Sequence, residues 1–310
     1  MKKAFLFAGQ GAQYVGMGKD LCHHYAEVNE TFESASKALN KDIKRLCFDG
    51  PDEELRKTEN TQPAILTLDV AIAKILFNKG IKPDVMAGLS LGEYAALVTS
   101  GALEFSNAIK LVRKRGLFMQ EAVPLGAGAM AAIIGLERES VNEIIIEASK
   151  EGIIECANYN YPGQIVVSGE KVAVQRAGVI TSEKGGRAVM LPVSAPFHCS
   201  MLKGAGHKLS EELDKIDTHS IKVPVISNVT ADFYTNDNIK ELLVKQVSHS
   251  VFWEDAIVKM INEGVEVFIE IGPGKALTGF TKKITKKTNK DVFCYNVEDK
   301  SSLEGLLNKI

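Results

Sequence analysis

Short apolar runs rich in β-branched residues alternate with longer amphipathic segments along most of the chain. Runs with strand character lie at residues 3–7, 84–88, 223–227, 265–271 and 291–297. Segments whose apolar positions recur at helical spacing lie at residues 62–79, 92–100, 106–121, 238–246 and 253–263. Strands that alternate with helices predict an α/β fold around a mostly parallel sheet.

The order of predicted strands and helices changes between positions 126 and 195. Strand-like runs lie there at residues 130–135, 152–157, 164–168 and 188–191, with helical segments at 138–150 and 170–184. The order β-α-β-β-α-β predicts a small ferredoxin-like unit. We therefore predict a large α/β-hydrolase-like domain with a mostly parallel sheet, formed by residues 1–125 and 196–310. The inserted ferredoxin-like subdomain is predicted at residues 126–195.

Composition and charge are those of an ordinary globular protein. The 310 residues are 45% hydrophobic, which is enough to bury a sizeable core. The formal net charge of −2 excludes a global field that would steer the chain to nucleic acid or to an anionic membrane. The apolar run at residues 4–9 is too short for the core of a signal peptide, and no run approaches the roughly 20 apolar residues that span a bilayer. A cytoplasmic location is expected.

The cysteines give no sign of a metal site or a disulfide framework. All five are widely scattered, and none are spaced as CxxC; they are Cys22, Cys47, Cys156, Cys199 and Cys294. This pattern favours reduced thiols and argues against structural zinc. We expect no metal and no cofactor.

A GxSxG motif at residues 88–92 contains the first candidate for catalysis. An apolar strand leads into it and a helix follows it, which is the setting in which a sharp turn presents a serine hydroxyl above a sheet. Ser90 is therefore the candidate nucleophile. The backbone N–H of Leu91, at the start of the helix, would face an oxyanion formed at this serine. The alternative is a helix N-terminus that Ser90 merely caps.

His198 is the candidate general base among the six histidines. It follows Pro192 and Pro196 at the end of an apolar run, so a stiff loop would hold its ring in place. A general base requires such rigid placement. From the residues alone, a structural role for this histidine stays open.

Arg115 lies on the apolar side of an amphipathic helix. At about 100° per residue, Lys110 and Lys114 fall on the polar side of residues 108–119, whereas Arg115 falls in the middle of the apolar arc. A buried guanidinium needs an anion, because an unpaired buried charge costs several kcal/mol. The anion is either an internal Asp or Glu or the carboxylate of a substrate, bound by the planar fork of the side chain.

These motifs resemble those of the malonyl-CoA:acyl carrier protein transacylases of fatty acid synthesis, and the resemblance covers essentially the whole chain. The matching motifs are FAGQGAQ at residues 7–13, GLSLGEY at 88–94, RGLFMQ at 115–120, ANYNYPGQ at 157–164, APFH at 195–198, the glutamine at 246 and GPG at 272–274. The sequence departs from the family at Leu89, where a histidine is common, and at Ala8 and Ser250, where prolines are usual. None of these departures removes a group with a proton-transfer role.

The resemblance implies a two-step exchange through a serine-linked acyl-enzyme. Ser90, with its proton taken by His198, would accept malonyl from malonyl-CoA and pass it to the phosphopantetheine thiol of acyl carrier protein. The backbone N–H groups of Gln10 and Leu91 would form the oxyanion hole. The segment of Gln246 would orient the histidine ring through a backbone carbonyl.

The resemblance also implies how the acyl group is held. Arg115 would bind the malonyl carboxylate, and the bulk of Phe197 would crowd a methyl branch at the α-carbon. The other residues of the substrate pocket would be Met119 and Asn158. Tyr161 departs from the family, where a smaller residue is frequent, and would narrow the mouth near the thioester arm. A monomer is expected that binds neither nucleic acid nor membrane. The basic residues that could meet an acidic carrier are Lys184, Arg187 and Lys203.

Three other interpretations of these motifs fit the sequence less well. An α/β serine hydrolase shares the serine turn but carries its histidine close to the C-terminus, whereas this chain continues far beyond His198. A non-catalytic docking subunit would be expected to have lost Ser90, His198 or Arg115. A nucleotide site at residues 126–131, a loose GxGxxA, would have to follow a strand, and this string precedes one.

Overall fold

The computed structural model describes residues 1–193, 195–288 and 290–310. The first part of the chain contains β1 (Lys2–Phe7), α1 (Lys19–His24), α2 (Ala26–Leu39), α3 (Ile43–Asp49), α4 (Asp52–Leu55), α5 (Thr58–Asn78), β2 (Val85–Gly88), α6 (Gly92–Thr99) and α7 (Phe105–Glu121). The middle part contains β3 (Gly128–Ile134), α8 (Arg138–Ala148), β4 (Ile154–Tyr161), β5 (Gln164–Glu170), α9 (Lys171–Glu183) and β6 (Arg187–Met190). The last part contains α10 (Lys203–Leu213), α11 (Ile239–Ser248), α12 (Trp253–Asn262), β7 (Val265–Ile271), α13 (Ala276–Thr288), β8 (Phe293–Val297) and α14 (Lys300–Leu307).

The first sheet is parallel and has the strand order β2-β1-β7-β8. Alternate side chains of β1 point to opposite faces, as in any strand. Phe5 and Phe7 join the core on one face, and Ala4 and Leu6 join a second core on the other face. Both faces are therefore covered, which is why the strand reads as a continuous apolar run. Phe7 pairs with Gly88 of β2, so both strands end at the same edge of the sheet.

The second sheet is antiparallel and has the strand order β4-β5-β3-β6. With α8 and α9 in the chain order β-α-β-β-α-β, this is the ferredoxin-like arrangement that the sequence predicts. The predicted fold class, an α/β fold with a parallel sheet and a small ferredoxin-like unit, is confirmed. The domain boundaries at 125/126 and 195/196 stay predictions.

Two local predictions differ from the structure. The strand predicted at 223–227 is reduced to single bridges, of Val225 to Met86 and of Ile226 to Phe233, because Pro224 has no N–H to extend a ladder. The segment between the strand-like runs at 152–157 and 164–168 was left without an element, whereas β4 continues to Tyr161 and only a short turn separates it from β5. Asn158 therefore lies within a strand.

Three features concern membrane-spanning helices, disulfides and metal sites. None of the helices that the structure describes is long and apolar enough to cross a membrane. All five cysteines are free thiols. Within the described residues, His, Cys, Asp and Glu side chains form no cluster of three that could hold a metal ion.

Candidate active site

Ser90 lies at the turn between β2 and α6, with a positive φ of 53°. Few residues other than glycine adopt this left-handed conformation. The two flanking glycines make the turn possible. A Cβ at Gly88 would lie 1.9 Å from the backbone carbon of Gly92, and a Cβ at Gly92 would lie 2.2 Å from the carbonyl oxygen of Phe7. The close approach of α6 to β1 and β2 thus presents the serine at the edge where these strands end.

The turn is held by Asn228, a residue that the sequence analysis missed. Its Oδ1 accepts a hydrogen bond from the Ser90 N–H at 2.7 Å, and its Nδ2 donates to the Gly88 carbonyl at 2.8 Å. Asn228 is only 1% exposed. An asparagine after a strand-like run is common in turns, so no local signal distinguishes this one.

His198 contacts the serine hydroxyl directly. Its Nε2 lies 2.8 Å from Ser90 Oγ, and its Nδ1 lies 2.8 Å from the carbonyl oxygen of Gln246. Because a carbonyl can only accept, Nδ1 carries the proton and Nε2 accepts from the serine. This is the arrangement of a nucleophile and its general base. Position 194, in the loop predicted to be stiff, lies outside the described residues.

The environment keeps the histidine neutral. Burial, followed by the positive charge of Arg115, lowers the pKa of His198 from 6.5 to about 4. The hydrogen bond to the Gln246 carbonyl acts in the opposite direction but is outweighed. Near neutral pH the ring is therefore unprotonated at Nε2 and able to take a proton.

Arg115 is buried, at 1% exposure, and points to the same serine. Its Nη2 donates to Ser90 Oγ at 3.0 Å and to Gln246 Oε1 at 2.8 Å. Its Nη1 donates to Gln62 Oε1 at 2.9 Å, and the guanidinium lies 5.3 Å from the ring centre of Tyr94. Within the described residues it forms no ion pair with an Asp or Glu side chain. The nearest internal acid that acts on its charge is Glu93, which it does not contact directly.

Two features of α5 and α7 place the arginine, and sequence reasoning did not find either. A Cβ at Gly116 would lie 2.6 Å from the Thr58 carbonyl oxygen, so glycine lets the two helices approach closely. Gln62 on α5 is fully buried, and its Nε2 lies 3.8 Å from Met119 Sδ. Gln62 ends the polar run TENTQ at residues 58–62, so its neighbours in the sequence did not mark it as buried.

The two backbone groups expected to form the oxyanion hole are the N–H groups of Gln10 and Leu91. The structure gives the N–H of Gln10 and that of Leu91 no acceptor within the residues that it describes. The loop of Gln10 packs on the serine turn, since a Cβ at Gly9 would lie 2.5 Å from the Leu89 carbonyl oxygen. Such free donors beside a nucleophile can stabilise an oxyanion.

A cavity of about 850 Å³ opens over these groups. The predicted residues that line it are Gln10, Ser90, Arg115, Met119, Asn158, Phe197 and His198. Leu91 and Gln246 lie behind the wall. Phe280 and Glu270 line it too and were not predicted. Tyr161 does not line this cavity; its ring centre lies 5.2 Å from that of Phe280, and it borders a separate cleft of about 170 Å³.

Comparison with other proteins gives a consistent result. The family described as acyl transferase domain matches residues 4–301. The chain is 49% identical over 284 residues to the malonyl CoA-acyl carrier protein transacylase of Escherichia coli (strain K12), covering 91% of this chain and 92% of the relative. It is 47% identical over 289 residues to the protein of that name from Bacillus subtilis (strain 168), covering 92% and 91%.

Solved structures agree in fold as well as in sequence. The malonyl CoA-acyl carrier protein transacylase of Clostridium perfringens ATCC 13124 superposes with a TM-score of 0.96 at 53% identity, over 100% of this chain and 97% of that one. A malonyl-transacylase in complex with its type II PKS acyl-carrier protein superposes with a TM-score of 0.96 at 42% identity, over 100% of both chains.

Proposed function

This chain belongs to the acyl transferase domain family, and on that premise we propose that it transfers a malonyl group from malonyl-CoA to the phosphopantetheine thiol of acyl carrier protein. The resemblance found in its motifs is confirmed by these relatives. One observation most directly supports an acyl group that carries a carboxylate, such as malonyl. Arg115 places a buried cation 3.0 Å from the oxygen of Ser90, where an acyl group that carries its own carboxylate would lie.

The first step loads the enzyme. His198 Nε2 takes the hydroxyl proton as Ser90 Oγ attacks the carbonyl carbon of the malonyl thioester. The N–H groups of Gln10 and Leu91 stabilise the oxyanion, each such donor typically contributing ~10²–10³ in rate. The C–S bond then breaks, and the CoA sulfur leaves with the proton that His198 holds.

The second step reverses the roles of the two thiols. The phosphopantetheine thiol gives its proton to His198 and attacks the ester carbonyl of the malonyl-enzyme. When the C–O bond breaks, Ser90 recovers that proton, and the product is the malonyl thioester of the carrier. Because Gln246 accepts from Nδ1 throughout, the ring keeps one orientation through both steps.

The malonyl carboxylate is the anion that Arg115 lacks. Its present partners, Gln62 and Gln246, are neutral amides, and the third is the nucleophile itself. A carboxylate can accept two hydrogen bonds from the planar fork and neutralise its charge. Met119, Phe197 and Asn158 would then surround the rest of the acyl group.

The proposal extends to the cofactor, the oligomeric state, the cellular location and the contact with the carrier protein. Nucleophile, base and oxyanion donors all come from the chain, so the exchange requires no cofactor. We place the enzyme in the cytoplasm as a monomer, which light scattering of the purified protein can test. The exposed side chains of Arg187 and Lys203 would contact the acidic carrier.

Intact-mass measurement after mixing with malonyl-CoA tests the function. The wild-type protein should gain the mass of one malonyl group, and Ser90→Ala should gain none. Adding acyl carrier protein should remove the adduct and yield malonyl-carrier. Rapid loss of the adduct to water without the carrier would contradict the proposal and favour a hydrolase.

A further inference from the structure

A fully buried carboxylate, Glu93, lies behind the candidate site on the first turn of α6. Its Oε1 accepts hydrogen bonds from the Asn228 N–H at 2.9 Å and from the Tyr234 hydroxyl at 2.6 Å. Its Oε2 accepts from Gln246 Nε2. Three donors thus converge on a side chain that does not touch the cavity or the reacting atoms.

Gln246 connects this carboxylate to Arg115. The Gln246 Nε2 donates to Glu93 and to the Ser90 carbonyl, the latter at 2.8 Å, while its Oε1 accepts from Arg115 Nη2. A carboxamide has one donor end and one acceptor end. Because Glu93 can only accept when ionised, it fixes which end of Gln246 faces it, and the oxygen must face the arginine.

Asn228 connects the same carboxylate to the nucleophile. Its backbone N–H donates to Glu93, and its carboxamide holds both the Ser90 N–H and the Gly88 carbonyl. Gln246 in addition accepts from His198 through its backbone carbonyl. Only the Gln246 side chain, which meets Arg115, takes its orientation from Glu93, because the Asn228 N–H and the Gln246 carbonyl belong to the backbone.

Glu93 and Arg115 attract each other across the amide without direct contact. Burial raises the pKa of Glu93 to about 7, and its three hydrogen bonds and the positive charge of Arg115 oppose a larger rise. A carboxylate in direct contact would occupy the guanidinium fork and compete with a substrate. With a neutral carboxamide between them, the fork is oriented but keeps its capacity to bind an anion.

We propose that Glu93 is a positioning residue for substrate selection, which orients Gln246 so that Arg115 is held for the substrate carboxylate without being neutralised by a direct ion pair. This inference rests on the proposed malonyl transfer. It concerns the preference for malonyl over acetyl, which a purely structural role of Glu93 would not change.

The first test is Glu93→Gln. An amide offers a single acceptor oxygen to the three donors that meet Glu93, so at least one donor faces an N–H group and Gln246 loses its fixed orientation. We expect the KM for malonyl-CoA to rise and the malonyl-to-acetyl preference in kcat/KM to fall about tenfold. The acetyl kcat should change much less. Steady-state kinetics with malonyl-CoA and acetyl-CoA measure KM, kcat and the preference, and intact mass shows which acyl group is loaded.

A matched control is Asp69→Asn. It replaces another fully buried carboxylate by its amide, at a position where both carboxylate oxygens lack a hydrogen-bond partner within the described residues. The malonyl-to-acetyl preference of this variant should equal that of the wild type. Thermal unfolding of both variants shows that they are folded.

A second variant, Gln246→Glu, moves a carboxylate next to Arg115 and keeps the backbone carbonyl that orients His198. We expect the preference for malonyl to fall here too, because the fork is now neutralised. This variant decides the matter if Glu93→Gln does not fold. If wild type loads malonyl and a folded variant of either kind keeps the wild-type preference, the inference is wrong. If wild type loads no malonyl, the proposed function itself fails.

Discussion

At the scale of single residues, Arg115 is expected to decide which acyl group the enzyme prefers. Its direct partners are neutral, and it lies 3.0 Å from Ser90 Oγ. It can therefore stabilise a bound acyl group that carries a carboxylate. Acyl groups without a carboxylate, such as acetyl, leave the buried charge without an anion.

Replacing Arg115 by alanine should reverse acyl selection. We expect kcat/KM for malonyl-CoA to fall by the equivalent of about 3–5 kcal/mol, the cost of a broken buried pair. Acetyl should then be preferred. The exposed Lys110, on the same helix, gives the control Lys110→Ala, which should keep the malonyl preference. An Arg115→Ala enzyme that still prefers malonyl would remove the basis for the assigned role.

The histidine should show an unusual pH dependence. Since the pKa of His198 is lowered to about 4, the base stays unprotonated through the range in which an ordinary histidine titrates. The acyl-loading rate should therefore remain level as the pH falls through 6.5 and decline only near pH 4. Acetyl-CoA is the suitable substrate for stopped-flow loading, because it adds no carboxylate that titrates.

Arg115→Ala provides the matching comparison, because it removes the second cause of the lowered pKa. The acid decline of acetyl loading should move to higher pH in this variant. A decline near pH 6.5 in both proteins would show that the arginine does not affect the base.

At the scale of secondary-structure elements, the close packing of α6 on β1 and β2 positions the nucleophile. Gly88→Ala would place a Cβ 1.9 Å from the Gly92 backbone, so strand and helix must separate. We expect a lower melting temperature and loss of acyl loading by intact mass.

Gly305→Ala is the control for that change. Gly305 lies in α14, and no atom lies within 4 Å of the Cβ that alanine would add. Here alanine should stabilise the helix by up to about 1 kcal/mol and leave loading intact. If Gly88→Ala is tolerated equally well, the tight strand–helix contact is not required.

Elements could be predicted where periodicity was strong, and two cases show the limits. The helix α2 buries Val28, Thr31, Phe32 and Ala35 at helical spacing, yet it was not predicted, although the signal was present. The strand predicted at 223–227 was wrong because β propensity does not supply the N–H that Pro224 lacks.

At the scale of the whole molecule, the cavity joins parts of both sheets. Ser90 follows β2 of the parallel sheet, whereas Asn158 and Val166 belong to the antiparallel sheet, and all three line the same cavity. His198 lies in the segment that follows β6. The site therefore exists only when the two units are assembled.

Global stability should respond to pH through Asp69. Desolvation, followed by the charge of Glu270, raises the pKa of this buried carboxyl well above 3.8. The folded protein thus keeps a proton that the unfolded chain releases, so stability is lost as pH rises. In Asp69→Asn this loss is absent.

Urea unfolding of wild type and Asp69→Asn across pH 4 to 8 measures the effect. The free energy of unfolding of the variant relative to wild type should increase with pH, by up to about 1.4 kcal/mol per pH unit. A difference that is constant over this range would mean that Asp69 titrates alike in the folded and unfolded chains.

Features that depend on near neighbours along the chain could be predicted from the residues alone. Hydrophobic spacing is local, so it predicted the alternation of elements and the fold class, which is confirmed. The serine turn was predictable because strand, glycines and helix follow one another directly. Helical periodicity likewise marked Arg115 as inward-facing, and it is buried. The catalytic roles of these residues stay proposals.

Which polar groups meet depends on how distant elements pack together, and this could not be predicted from the residues. His198 and Ser90 are 108 positions apart, yet their side chains lie 2.8 Å apart. No local signal marked Gln62, Glu93 or Asn228, because each forms its hydrogen bonds with a residue on another element. Packing brings those partners together, and hydrophobic periodicity says which face is buried but not which buried groups share a hydrogen bond.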